Sequence, residues 1–370
     1  MVRKPLEDTN SVPSAPAAAV PLKVEARSTE DIETISALPD STNGDFIVCG
    51  NNRGSIMLHD LQNGKSKVEL YKHTRNCTIL CLQWNEYAGI VSTSDFAARL
   101  QVVKIVKDST KGWKKSEVIL DECCSDKHAV RQQLLSPDAS KLLIATSEWT
   151  LLYDLGEKQR VAELETHTQW RPWINHPLQP DLLILFEQSS IRTFYWADLE
   201  PALPTTEVRG HEGYDIDYEH YAICPEGGKL YMRLTSSQTS QLASARRIYN
   251  ISTLDLSDLG KSSTIHFTHY FVDSNNLDID FIIGTTTSIF NERPILLFFT
   301  KSGWICSIDV DEPIPQDKYI RHFFVPSHWL SGTGSVKVRV TGKRDILFVQ
   351  RDEIAVFRNA LDRREHVSVR

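Results

Sequence analysis

SPDASKLLIATSEWTLLYDL, residues 136–155, reads as a Pro-Asp turn, a strand at 141–146, a tight polar hairpin at Ser147-Glu148, and a second strand ending at Tyr153-Asp154. The apolar runs are short and bounded by turn residues, which suits strands and not helices. The same phrase recurs, degraded, along nearly the whole chain.

The first copy is IETISALPDSTNGDFIVCGNNRGSIMLHDLQNGK, 32–65. It has a turn at Leu38-Pro39-Asp40, a strand into Cys49, a turn over 51–54 and a strand closing on His59-Asp60. Gly54 supplies the positive φ that such a hairpin needs. The second copy turns at Trp84-Asn85-Glu86 and has its next hairpin within 95–103; the opening stretch is the third. The fourth runs from His176-Pro177 through LLILFEQSSIRTFYW to Trp196, and the fifth from Cys224-Pro225 to Leu254-Asp255. ILLFFTKSGWICSID (295–309) and DILFVQRDEIAVFR (345–358) are the sixth and seventh. Asp60, Lys104, Asp154, Tyr195, Asp255, Asp309 and Arg358 mark equivalent positions about 40 to 60 residues apart, bracketing the period of a four-stranded unit.

A four-stranded sheet with apolar residues on both faces (LLIA, LLILF, ILLFF) cannot cover itself, so neighbouring units must stack face to face. The expected fold is all-β: a seven-bladed β-propeller of four-stranded antiparallel sheets over 29–370. Six blades is the alternative, because units five and six are long. Residues 1–28, rich in Pro, Ala and Ser, form a flexible N-terminal arm. Either 20–24 in that arm or the tail 366–370 must bridge the last and first blades, and the N-terminal segment is the favoured one.

These units resemble the WD-repeat family, whose blades run Ser-Pro-Asp-Gly, strand, Asp-Gly-Thr turn, strand, Trp-Asp. In that family a Gly-His histidine hydrogen-bonds to an aspartate of the same blade. Here Arg209-Gly210-His211 carries the dipeptide, and His73, His128 and His167 stand at similar places. The resemblance implies a structural role for His211 and for the strand-end aspartates Asp60, Asp154, Asp255 and Asp309. Separately, 321–329 (RHFFVPSHW) is similar to the end of the propeller region in fungal NACHT-type and heterokaryon-incompatibility proteins. That likeness implies partner sensing and a fungal source.

Hydrophobic content of 41% and charged content of 24% are those of a soluble globular chain. A net charge of −7 and a pI near 6.0 weigh against nucleic acid as a partner. The chain has neither an apolar run of about 20 residues nor a signal-peptide core, so no membrane is expected and the location is intracellular, the cytoplasm before the nucleus. Seven scattered cysteines suit reduced, packed thiols.

Chemical motifs are sparse. Gly64-Lys65-Ser66 and Gly260-Lys261-Ser262 lack the upstream glycine of a phosphate loop. Cys77, Cys81, His266 and His269 have no metal-site spacing, so no metal and no cofactor are expected. The adjacent Cys123 and Cys124 admit oxidation as a weak alternative. Asp215, Asp217 and Glu219 would share one strand face as a cluster of carboxylates. Lys104, Lys107, Lys111, Lys114 and Lys115 gather around Trp113. No nucleophile elbow, zinc helix or dinucleotide fingerprint is present.

The expected function is therefore a non-enzymatic scaffold for protein partners. Contacts are expected at Trp170, Arg171 and Trp173, residue types common at interface hot spots, and along the polar insertion 235–245 with Thr235, Gln238 and Gln241. The alternatives are an enzyme with its pocket at the central mouth and a structural subunit of a larger complex.

Overall fold

The computed structural model describes residues 22–24, 32–36, 46–62, 67–74, 76–108, 112–125, 128–166, 172–187, 189–209, 214–224, 228–236, 249–271, 279–288, 293–309, 318–326, 337–341, 344–350, 353–361 and 365–368. They form seven small sheets closed into a ring, a seven-bladed propeller. Blade 1 is Ile32–Ser36, Phe46–Asn51, Ser55–Asp60 and Lys67–Lys72. Blade 2 is Ile79–Asn85, Ile90–Asp95, Arg99–Asp108 and Gly112–Cys123, and blade 3 is Gln132–Leu135, Lys141–Ala145, Trp149–Asp154 and Gln159–Glu165. Blade 4 is Trp173–Asn175, Leu182–Phe186, Ser190–Tyr195 and Pro201–Arg209, and blade 5 is Tyr214–Cys224, Lys229–Ser236, Tyr249–Asp255 and Thr268–Phe271. Blade 6 is Ile279–Thr287, Pro294–Thr300, Trp304–Asp309 and Lys318–Phe324. Blade 7 is Lys337–Val340, Ile346–Gln350 and Glu353–Phe357, completed by Leu22–Val24.

Period-two alternation explains the stacking. Leu142 and Ile144 pack with Leu100 and Val102 of blade 2, whereas Leu143 between them packs with Trp173, Leu183 and Phe194 of blade 4. One strand thus serves two interfaces. Each such side chain, when fully buried, contributes about 1.5–3 kcal/mol. The ring closes in the same way. Ile47 and Cys49 of blade 1 share a core with Leu347, Val349, Ile354 and Val356 of blade 7, and Arg358 Nη2 donates to Leu61 O at 2.6 Å.

The seven marker positions follow the third strand of each blade: six stand in it and Arg358 directly after it. The aspartates there turn the chain. Asp60 Oδ1 accepts from Gln62 N (2.8 Å), Asp154 Oδ1 from Gly156 N and Glu157 N (2.9 Å each), and Asp255 Oδ1 from Ser257 N (2.9 Å). Asp309 stands at the same place, 3.9 Å from Arg293.

Closure by the N-terminal segment is what the structure has: Leu22, Lys23 and Val24 pair with Val356, Ala355 and Ile354. The tail plays another part. Glu365–Ser368 runs antiparallel along Lys318–Phe324 as a fifth strand of blade 6. Blade 4 also has a fifth strand, Thr264–His266, lent in parallel from between the third and fourth strands of blade 5. Both cover an outer edge that would otherwise present unpaired backbone groups. Removing 1–27 should lower stability by about 2–3 kcal/mol, the net worth of a three-residue ladder, measured by urea unfolding. An unchanged midpoint would show that the segment does not close the ring.

A buried polar network ties blades 1 and 2. His73 Nδ1 donates to Asp95 Oδ2 at 3.1 Å, and both side chains are fully buried. His73 Nε2 lies 2.9 Å from Thr93 Oγ1, which also meets the Tyr71 hydroxyl at 2.9 Å. Asp95 Oδ1 accepts from Ala97 N and Arg99 N, at 2.9 and 3.0 Å. Blade 3 repeats the pairing at the surface, with His128 Nε2 2.8 Å from Glu148 Oε1. His167 and His211 lie outside the described residues.

Candidate functional site

Strand direction alternates within each blade, so the turn between strands two and three emerges at the same face as the connection to the next blade. The His73 and His128 pairs, each joining one such connection to one such turn, mark this upper face. Strands 159–165 and 173–175 flank the connection containing Trp170 and Arg171, and strands 229–236 and 249–255 flank the insertion; all of these meet the upper face. Trp170, Arg171, Gln238 and Gln241 themselves lie outside the described residues, and Thr235 is placed only as a strand position opposite Asp215.

Trp173 does not join them. It is 1% exposed, stacks near Phe194 at 5.1 Å, and its Nε1 donates to Thr150 Oγ1 at 3.1 Å. Its backbone N–H donates to Gln132 Oε1 at 2.9 Å, and Gln132 Nε2 donates back to Trp173 O at 2.6 Å. A tryptophan on an innermost strand fills the gap between blades, so its side chain is core and not an interface contact.

Two aromatics that sequence reasoning passed over stand on this face. Phe96 is 69% exposed and Trp149 39% exposed, on adjacent blades. Both are held by their turns. Asp95 fixes the turn carrying Phe96, where Ala98 takes a positive φ of 56°. Thr146 Oγ1 accepts from Glu148 N and Trp149 N, at 3.3 and 3.0 Å. The available signal was positional: an aromatic in a tight turn, where glycine or a polar residue is usual.

The carboxylate cluster lies on the innermost strand of blade 5. Its ladder slips: Asp217 faces Arg233 while Tyr221 faces Met232, so 218–220 are extra residues. A bulge breaks the alternation. Asp215 and Asp217 hold ladder positions opposite Thr235 and Arg233, and Glu219 falls among the residues of the slip. Further along this strand, Tyr221 feels burial, which raises its pKa, opposed by the charge of Arg339 on the innermost strand of blade 7. The pKa of Arg339 is in turn lowered by burial and raised by the charge of Tyr221.

The lysine hairpin is anchored by its aromatics. Lys107 Nζ lies 5.6 Å from the Phe46 ring and 5.9 Å from that of Trp113, and Lys115 Nζ lies 5.5 Å from the Tyr71 ring. Cys123, the last residue of its strand, is exposed, while Cys124 just beyond it lies 4.0 Å from the Tyr153 hydroxyl. Burial pushes the thiol of Cys124 up to about 12 and that of Cys81 up to about 11, which suppresses the reactive thiolate.

Gly260 forms a turn with φ 77° between the short 3₁₀ helix Leu256–Asp258 and a strand, so its Gly-Lys-Ser opens no helix. Thr264–His266 and Thr268–Phe271 belong to different blades, which separates the roles of His266 and His269. Among the described residues no group of three or more His, Cys, Asp or Glu is arranged to hold a metal ion. A cavity between blades 6 and 7 contains Ser307 and His322, whose Oγ and Nε2 are 2.8 Å apart. Its volume of about 20 Å³ suits one water and not an organic substrate.

The segment 318–326 packs largely into its blade, with Phe324 left about half exposed. Tyr319, His322 and Val325 are buried, and Arg321 lies over the rings of Trp304 and Tyr319 at 5.3 and 5.5 Å. No protein-family model matches the chain, and the search of curated proteins finds no match.

Proposed function

We propose that the chain is a WD-repeat-like propeller that works inside the cell as a non-enzymatic scaffold for protein partners, held through its upper face. The observation that carries this is the exposure of Phe96 and Trp149 on turns fixed by hydrogen bonds. Rigid display means that the interface does not lose loop entropy on binding. The histidine–aspartate pair of blade 2 and the aspartate turns after third strands support the WD-like assignment.

The test is affinity capture from the native extract with three tagged chains: the parent, a Phe96→Ala/Trp149→Ala double variant, and Tyr87→Ala. Tyr87, 72% exposed, sits on the turn between strands one and two, at the opposite face. The double variant should keep its stability within about 0.5 kcal/mol. It should bind the captured partner at least about tenfold more weakly, the usual effect of removing interface aromatics, while Tyr87→Ala binds as the parent does. Equal binding by all three chains would overturn the upper-face assignment, and no partner at all would overturn the scaffold.

A further inference from the structure

The outer edge of blade 6 is occupied by a strand from beyond blade 7. Glu365–Ser368 pairs antiparallel with Lys318–Phe324 at four positions: Ser368 with Lys318, Val367 with Tyr319, His366 with Ile320 and Glu365 with Arg321. One ladder joins it to the sheet. Lys318–Phe324 has seven residues, so its edge continues past Arg321 to Phe324. There Phe324 is 49% exposed and meets Trp304 edge to face, with ring centroids 5.6 Å apart.

Arg321 is prepared for an acid. Its guanidinium lies over the rings of Trp304 and Tyr319 at 5.3 and 5.5 Å, and its Nη2 donates to the Tyr319 hydroxyl at 2.9 Å. These contacts hold the planar fork beside the edge. Its Nε is buried and has no acceptor among the described residues. A buried donor is costly until an acceptor meets it, and a carboxylate is the strongest acceptor for a guanidinium. Residues directly opposite in an antiparallel pair share one face of the sheet, about 4.5–5.5 Å apart at Cβ, so a docked strand brings the residue opposite Arg321 within its reach. The resident strand has a glutamate at that position and a valine opposite Tyr319.

We propose that the outer edge of blade 6 docks an extended segment of a partner protein, with a carboxylate opposite Arg321 and a β-branched residue opposite Tyr319. Glu365–Ser368 is its removable occupant. A partner strand of that pattern makes the same backbone ladder and gives Nε an acceptor, and three residues before its acid it reaches Phe324. The edge is separate from Phe96 and Trp149 on blades 2 and 3, so this site is independent of the upper-face reading.

The probe is a fluorescein-labelled peptide of residues 362–370, DRREHVSVR, followed by fluorescence anisotropy against three full-length chains: the parent, His366→Pro/Val367→Pro, and Glu365→Lys. Proline removes ladder donors and opens the edge. The proline chain should bind the peptide saturably and at least about tenfold more tightly than the parent, whose own strand competes at a high effective concentration. Glu365→Lys should fall between them. A peptide bearing Glu365→Lys should bind the proline chain at least about tenfold more weakly, the scale of a lost charge-assisted hydrogen bond. The absence of saturable binding to the proline chain overturns the docking site, as does equal binding of the two peptides. Should the proline chain fail to fold, a Glu365→Lys chain that binds the unaltered peptide no better than the parent overturns it. A concentration-dependent dimer of the parent that Glu365→Lys abolishes would give the edge to a second copy and overturn the partner.

Discussion

Asp95→Ala is expected to destabilise the propeller by about 3–5 kcal/mol, the effect of removing one partner from a fully buried pair. Three donors would lose their acceptor: His73 Nδ1–H and the backbone N–H groups of Ala97 and Arg99. A typical domain has only about 5–15 kcal/mol in all, so the variant should approach its unfolding threshold. The same carboxylate gives a pH signature. Burial alone would raise the Asp95 pKa, but the hydrogen bond with His73 and those from Arg99 and Ala97 outweigh it and hold the pKa below the ordinary value. A folded-state pKa below the unfolded one means that this stabilisation is complete above the unfolded value, about 3.9, and is lost as pH falls through the folded value. Urea unfolding of the parent and Asp95→Asn should therefore differ most at neutral pH and converge in acid below about pH 4. A pH-independent difference would show that Asp95 does not act as a buried carboxylate.

Trp173→Ala should cost about 3–5 kcal/mol, the range for emptying a buried aromatic site. The side chain sits in a core built from Leu143, Leu152, Leu183 and Phe194, and its loss would leave a void across the seam between blades 3 and 4. Trp173→Phe should cost less, since it retains most of the volume and forfeits the bond to Thr150. Urea midpoints decide the matter: a Trp173→Ala chain within about 1 kcal/mol of the parent would return the residue to the surface. The distinction bears on function, because loss of binding in a Trp170/Arg171/Trp173 triple-alanine chain would report unfolding as much as contact. Phe96 and Trp149 avoid that confusion, being exposed on turns whose hydrogen bonds come from other side chains.

Sequence alone determined the blade and its repetition. Turn residues and period-two apolar runs are local properties, so LLIA and LLILF announce two-faced strands, and aspartates at 60, 154 and 255 announce the turns that follow. Closure through 22–24 was also legible, as a short extended segment in an otherwise polar arm. What only the tertiary structure decided depends on neighbours distant in the chain. Trp173 resembles a hot spot until the adjoining blades bury it, and the slip of the ladder after Asp217 is set only by pairing with strand 229–236. The edge strands 264–266 and 365–368 are too short to signal themselves, because their pairing comes from the edges they cover.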